Sequence, residues 1–350
     1  MKSSYQPGLR VSEYVLEERI GTGTFGEVWQ ARHHIWDSDR VAIKLPTEPD
    51  YVRYLQREGI VVHGLRHPNI VRVMGLDPYA DIPYLVMELV KGPSLRQILN
   101  EHRKGVPLEV AVTVLRGILG AMVVAHANSV LHRDLKPGNV MLHLDGRPLS
   151  EVTQNDIKVS DFGLGVANPD TLREIVQSAS IDRENRLVGT MAYMAPELRD
   201  GKQQADARTD LFSIGVILFE LLTGERPAGA ELPSTLRPDV PLAIDEVFRR
   251  LYARYDRRYE SAEVVLTDLE MRLHPPAPKA PPPPPLPTLS AGRRTCPACG
   301  HVVEAGDQFC TQCGHQLAAE IRRCLACGAY PGPDDAFCIF CGRRLPQSGE

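Results

Sequence analysis

The segment His132-Arg-Asp-Leu-Lys-Pro-Gly-Asn139 gathers a carboxylate (Asp134), an ammonium two residues on (Lys136) and an amide oxygen five residues on (Asn139). A second acid follows in Asp161-Phe-Gly163, directly after the apolar run Ile157–Val159. Phosphoryl transfer asks for this inventory: a carboxylate to orient a hydroxyl, oxygen ligands for a divalent cation, and cations for the moving phosphate. Upstream lies the glycine-rich turn Gly21-Thr-Gly-Thr-Phe-Gly26, followed by Val28. In a dinucleotide fold a helix would open at its last glycine. Here Glu27-Val-Trp-Gln-Ala-Arg32 continues as a strand, so the backbone amides would lie over phosphates from a hairpin. Lys44 ends the apolar run Val41-Ala-Ile-Lys44, and Glu58 falls in a stretch of helical character from Glu48 to Leu65. Together they offer a buried cation for phosphate oxygens, oriented by a carboxylate from a neighbouring helix. Each short motif arises by chance; the ordered set does not.

A second chemistry sits at the other end. All 8 cysteines lie between Cys296 and Cys341, in four CxxC pairs. Cys296, Cys299, Cys310 and Cys313 form one set, and Cys324, Cys327, Cys338 and Cys341 repeat it 28 residues later. A glycine follows each pair, at Gly300, Gly314, Gly328 and Gly342. Eight cysteines could also make disulfides, but regular CxxC pairs fit two Cys₄ zinc sites far better. His301 and His315 are surplus to two full sets and are expected at the surface. Repeats this short need a staple in order to fold.

The elements that must position these groups follow from composition and pattern. At 43% hydrophobic and 24% charged, the 350 residues are globular and sufficient for a large domain plus a small one. Forty basic against 44 acidic residues give a net charge of −4, which provides no field for nucleic acid or anionic lipid. The longest stretch without Asp, Glu, Lys or Arg, Gly117–His132, is too short and polar to span a bilayer. The first residues lack an apolar signal core, so a cytoplasmic location and no membrane are expected. From Tyr14 to about Leu45 glycine-broken apolar alternation predicts strands, and Ile82–Leu89 predicts another. From Ser94 onward helices dominate, among them Leu108–Ala127 and the apolar Leu211–Leu222. The pattern predicts an α+β fold of two lobes. Nine of the 13 residues Pro275–Pro287 are proline, an extended spacer able to span about 40 Å, with a ligand for proline-binding grooves as the sharper alternative.

Residues 14–273 resemble the eukaryotic-like protein kinases, closest to the bacterial serine/threonine branch. The resemblance implies Lys44 on the third strand, Glu58 on the αC helix, Asp134 as catalytic base and Lys136 on the γ-phosphate. Asn139 and Asp161 would hold Mg²⁺, with Mn²⁺ as a substitute. Gly21, Gly23 and Gly26 would cover the ATP phosphates, while Ile20, Val28, Ala42 and Met141 would enclose adenine. Met87 matches the gatekeeper, with Glu88–Val90 as the hinge. Thr190 would bridge Asp134 and Lys136, which points to serine and threonine acceptors on protein substrates. Asp210 would anchor the catalytic loop, and Arg258 would pair with Glu197 of Ala195-Pro-Glu197. Arg133 would grip a phosphate placed on Ser178 or Ser180 by autophosphorylation, with Thr171 less favoured.

Two departures stand out. Gly224–Val240 is short for the family, so its αG region should be reduced, and Met141–Ser160 is slightly long, as for an extended hairpin. No catalytic position is lost. The competing reading, a zinc-bearing scaffold with a dead kinase body, is separated by ATP turnover. The tail resembles a double zinc ribbon; its six arginines and six acids from Gly292 onward argue against a nucleic-acid-binding regulator and for a protein-interaction module. The expected order is a loose lead-in (1–13), the kinase domain (14–273, with its N-lobe at about 14–88 and its C-lobe at about 89–273), a linker (274–291), the double ribbon (292–346) and a short tail (347–350).

Overall fold

The computed structural model describes residues 5–23, 26–162, 191–199, 204–274, 294–304, 306–318, 321, 323–332 and 335–345. The chain forms two compact units, Met1–Pro276 and Ala277–Glu350.

The first unit opens with strands β1 (Arg10–Val11), β2 (Tyr14–Thr22), β3 (Gly26–His33) and β4 (Arg40–Pro46), then helix α1 (Val52–His63), β5 (Val73–Asp77) and β6 (Tyr84–Glu88). They make one antiparallel sheet in the order β1-β2-β3-β4-β6-β5. Strand periodicity divides β4 between two cores. Val41, Ile43 and Leu45 join Trp29, Ala31, Leu16 and Val11 on one face, while Ala42 packs on the other with Leu85, Met87 and Leu55 of α1. The expected loose lead-in is therefore corrected. Val11 is buried, Arg10–Val11 pairs with β2, and the Tyr5 hydroxyl donates to the Pro46 carbonyl at 2.6 Å. Val11 and Leu9 alternate with polar residues over too few positions to announce a strand. As a consequence Lys44 lies on the fourth strand in chain order, not the third.

The α-rich part comprises α2 (Leu95–Glu101), α3 (Leu108–Ala127), the hairpin β7 (Val140–Leu142) and β8 (Ile157–Val159), then α4 (Pro196–Arg199), α5 (Ala207–Thr223), α6 (Pro233–Leu236), α7 (Leu242–Leu251) and α8 (Ala262–Leu273). Ser94 and Gln97 form a capping box that starts α2. Asp206 caps α5, whose end is set by Gly224 in the left-handed region (φ 78°). Helices α3 and α5 are apolar almost all round because both are wrapped by the fold. By length and composition α3 could cross a membrane, yet Ala111, Leu115, Ile118, Met122 and Ala125 are buried among neighbouring elements, the pattern of a core helix. Between Gly224 and Val240 the described backbone holds a single four-residue helix, α6, in keeping with the short αG region. The β7–β8 connection carries two 3₁₀ turns, Leu149–Glu151 and Gln154–Asp156, which account for its extra length.

In the second unit strands β9 (Arg294–Thr295) and β10 (Val302–Val303) pair, and two equivalent small cores form. One holds Cys296, Val303 and Cys310; the other holds Cys324, Cys338 and Leu345. The halves meet where Phe309 packs edge-on against Tyr330, with ring centroids 5.5 Å apart, and where Gln308 Nε2 donates to the Pro331 carbonyl.

Candidate active site and thiolate clusters

Sheet register brings Gly21 and Val28 into line with Lys44. Gly21 pairs with Val28, Val28 with Lys44, and Ala42 with Met87, so these side chains share one face. Gly26 has a packing reason to be glycine: a Cβ there would lie 2.3 Å from the Leu45 carbonyl oxygen. Ile20 is 47% exposed and Val28 half-buried, whereas Ala42 and Met87 are closed over by the sheet. Met141, in β7, is half-buried and bridges to Ser94. At the end of β6 the Glu88 carboxylate accepts from the Arg72 amide (2.9 Å) and from Lys158 Nζ (2.9 Å). Its own amide donates to the Arg72 carbonyl (2.9 Å). Val90, half-buried, packs against the main core.

Helix α1 buries Glu58, which is 2% exposed, at 2.7 Å from Lys44 Nζ. Lys44 also donates to Asp161 Oδ1. One ammonium thus serves two carboxyl groups in a dry site. Burial pushes Glu58 up to about 8 against the pull of Lys44, with Asp161 adding to the rise. Asp161 goes the other way: burial opposes its ionisation, but Lys44 outweighs it and takes the carboxyl to about 2. Lys44 is raised despite its burial, by Asp161 and then Glu58. The site holds Asp161 as carboxylate and Glu58 as the proton-retaining partner.

The loop between α3 and β7 carries the second cluster. Lys136 Nζ lies 2.7 and 3.0 Å from the two Asp134 oxygens, and Asn139 Nδ2 donates to the Asp134 carbonyl at 2.8 Å. This commits the amide nitrogen of Asn139 and leaves its carbonyl oxygen as the ligand atom. The loop is fastened by Asp210 of α5, 1% exposed, which accepts from the amides of His132 (2.9 Å) and Arg133 (2.8 Å) and contacts His126 Nε2 (2.9 Å). Two residues at the site sit in the left-handed region, Arg133 (φ 65°) and Asp161 (φ 61°). Such backbone costs about 1–3 kcal/mol each and persists only where surrounding bonds enforce it. His132 is fully buried; its Nε2 donates to the Ser160 carbonyl (2.9 Å) and its ring packs on Phe162, tying this loop to Asp161. Burial lowers its pKa, so the neutral ring accepts the Asp134 amide at Nδ1.

Arg258 grips Glu197 through two nitrogens, NH2 at 2.9 Å, with its guanidinium over the Phe212 ring. Gly163 and the segment holding Thr171, Ser178, Ser180 and Thr190 lie outside the described residues. Arg133 Nε is buried and has no hydrogen-bond partner among the described residues. Burial, with Arg57 nearby, holds the Arg133 guanidinium below its usual range. One network carried no sequence signal: Arg96 of α2 donates to Glu220 of α5 at 2.8 Å, and both meet the Tyr193 hydroxyl. Its members are ordinary helix and loop residues until the fold assembles them.

Each cysteine set closes on itself. Sulfur–sulfur distances are 3.7 Å (Cys296–Cys313) and 3.6 Å (Cys299–Cys310), repeated as 3.7 Å (Cys324–Cys341) and 3.6 Å (Cys327–Cys338). A tetrahedron with Zn–S of about 2.3 Å has edges of about 3.8 Å. The knuckle glycines have φ of 71–76°, and each amide reaches back to the first cysteine's carbonyl at 2.7–2.8 Å. That backbone disfavours any side chain. Amides of Cys327 and Ala326 draw the Cys324 thiol down to about 6. At Cys327 the Ala329 amide lowers the thiol, yet hydrogen bonding to Cys341, desolvation and the other two sulfurs raise it to about 12. Four sulfurs this close ionise together only around a cation, so the donor set fits Zn²⁺.

A strand-rich lobe with a lysine–glutamate pair, set against a helical lobe with the Asp134 loop, defines a bilobal phosphotransfer fold. The protein kinase domain family matches residues 14–259, and the chain belongs to that family. The double zinc ribbon family matches residues 296–342. The serine/threonine-protein kinase PkaA of Streptomyces coelicolor is 35% identical over 233 residues, covering 62% of this chain and 40% of that protein. The serine/threonine-protein kinase PrkC of Bacillus subtilis is 32% identical over 285 residues, 75% of this chain and 41% of that one. The chain thus spans about two-fifths of the length of these relatives. The crystal structure of a point mutant of the Mycobacterium tuberculosis PknI kinase domain shares the fold, with a TM-score of 0.58 at 23% identity over 77% of this chain and 99% of that one.

Proposed function

We propose that this chain is an ATP- and Mg²⁺-dependent serine/threonine protein kinase carrying a zinc-bound interaction module. The observation that carries the proposal is Lys44 held between Glu58 and Asp161 while Asp134, Lys136 and Asn139 share one hydrogen-bonded loop. Bound Mg-ATP would supply the phosphoryl group and the cation that offsets its charge. Lys44, oriented by Glu58, binds phosphate oxygens, and the glycine-rich turn covers them. Asp161 and the Asn139 carbonyl are hard oxygen donors suited to Mg²⁺. Adenine would sit among Ile20, Val28, Ala42, Met87 and Met141, against the Glu88–Val90 backbone. Asp134 orients the acceptor hydroxyl and takes its proton, and Lys136 holds the phosphate being moved. Arg133, with its buried Nε free of described partners, is suited to a phosphate placed on Ser178 or Ser180 by autophosphorylation, which would regulate the kinase. Clustered thiols that must stay reduced support a cytoplasmic setting. The test is Mg-ATP-dependent phosphate incorporation into the chain and a generic basic protein; Lys44→Met must abolish it while leaving thermal unfolding cooperative. Retained incorporation in Lys44→Met overturns the proposal.

A further inference from the structure

The two ribbon halves are an internal control, since each residue of the second has a counterpart 28 positions earlier. The cysteines, the knuckle glycines and the fold are shared, but the knuckle tips are not. In the first half the residues between the paired cysteines are Pro297-Ala298 and Thr311-Gln312; in the second they are Leu325-Ala326 and Ile339-Phe340. Zinc binding does not require the difference, because these side chains point away from the small core. Leu325 is 95% exposed, Ile339 74% and Phe340 68%. The two tips stand side by side, because their cysteines close on one cluster. The charge pattern diverges at the same place. Arg323, Arg343 and Arg344 replace Thr295, His315 and Gln316, and all three arginines are exposed. Exposed aliphatic and aromatic side chains carry a hydration cost with no return inside the fold, and with arginines next to the knuckles in sequence this is the composition of interface anchors.

We propose that the knuckle tips of the second ribbon form a docking site for an acidic amphipathic protein segment. Its apolar side chains would cover Leu325, Ile339 and Phe340, and its carboxylates would meet Arg323, Arg343 and Arg344. The arginines select the acidic partner. Two aliphatic residues at the tips favour an apolar protein surface over nucleic acid, whose bases stack on aromatic platforms. The first ribbon, with the small Pro297-Ala298 and polar Thr311-Gln312 tips and neutral residues at Thr295, His315 and Gln316, acts as the support that packs through Phe309 and Gln308.

The experiment displays a library of random twelve-residue peptides to the full chain loaded with zinc. Selected peptides should be enriched in Asp and Glu together with Leu, Ile, Phe or Trp. A synthetic copy of one should bind at least tenfold more weakly to Ile339→Ser/Phe340→Ser and to Arg343→Glu/Arg344→Glu. The matched first-ribbon changes Thr311→Ala/Gln312→Ala and His315→Glu/Gln316→Glu should leave binding within twofold. Metal content of two zinc per chain in every variant shows that the ribbons are folded. No enrichment over the Ile339→Ser/Phe340→Ser chain, or enrichment in basic peptides, overturns the proposal. So does binding of a single-stranded oligonucleotide that the same variant abolishes, or self-association of the chain through Phe340. The outcome does not depend on phosphotransfer, so it stands or falls apart from the kinase reading.

Discussion

Gly117→Ala tests whether the packing described for α3 positions the site. In α3 this residue lies against Ile157 of β8, and an added Cβ would sit 2.5 Å from Ile157 Cβ and 2.7 and 2.9 Å from its branches. Carbon atoms prefer about 3.5–4.0 Å, so the overlap is about 1 Å. Ile157 is fully buried, β-branched and paired with Leu142, so it cannot yield by turning a flexible side chain. Overpacking of this kind costs about 1–3 kcal/mol. Alanine returns up to about 1 kcal/mol of helix propensity. A clash with three atoms of one rigid side chain belongs at the upper end of the cost, leaving a net loss of about 2 kcal/mol. For a unit of this size that lowers the melting temperature by about 4–8 °C. Displaced β8 also moves Asp161, two residues beyond its end, so phosphotransfer should fall by more than the folded fraction. Differential scanning calorimetry of the kinase unit, paired with initial rates at a temperature where the variant is folded, makes the check. An unchanged or raised melting temperature would refute the packing argument.

Three further outcomes are expected. Asp210→Asn leaves one acceptor oxygen for two backbone amides and His126, so it should cost about 1–3 kcal/mol in urea unfolding and cut kcat well beyond that loss by freeing the Arg133 backbone. Because Glu58 keeps a proton to about pH 8 in the folded chain but only to about its ordinary value of 4.5 when unfolded, its contribution to stability is full below pH 4.5 and is lost as pH rises to 8; the denaturation midpoint of Glu58→Gln should lack this decline between about pH 5 and 8. Metal analysis should find two Zn²⁺ per chain and one in Cys296→Ser, and a strong chelator should abolish ribbon structure while the kinase unit keeps its thermal transition.

Much of the site was legible because its chemistry is local in sequence. Asp134, Lys136 and Asn139 share one loop, and the CxxC spacing writes each knuckle within four residues. Lys44 and Glu58 could be paired from sequence because strand and helix patterns placed them on adjacent elements. What stayed hidden depends on long-range closure. The strand Arg10–Val11 forms only because β2 offers an open edge and Tyr5 reaches Pro46. The Arg96–Glu220–Tyr193 network joins residues 97 and 124 positions apart, with no periodicity to announce it. The glycine at position 26 signalled phosphate contact, whereas the structure also gives it a packing duty against Leu45.

The central claim is that this chain moves phosphate from ATP to protein hydroxyls through Asp134 and Asp161. The direct measurement is transfer of radiolabelled γ-phosphate to a generic basic protein, followed by phosphoamino-acid analysis, for the wild-type chain, Asp134→Asn and Asp161→Asn. The account predicts phosphoserine and phosphothreonine from the wild type, and rates at least a thousandfold lower from both variants (roughly 4 kcal/mol of transition-state stabilisation) with unfolding still cooperative. Wild-type-like transfer by Asp161→Asn, or a wild-type chain that transfers no phosphate, would contradict it.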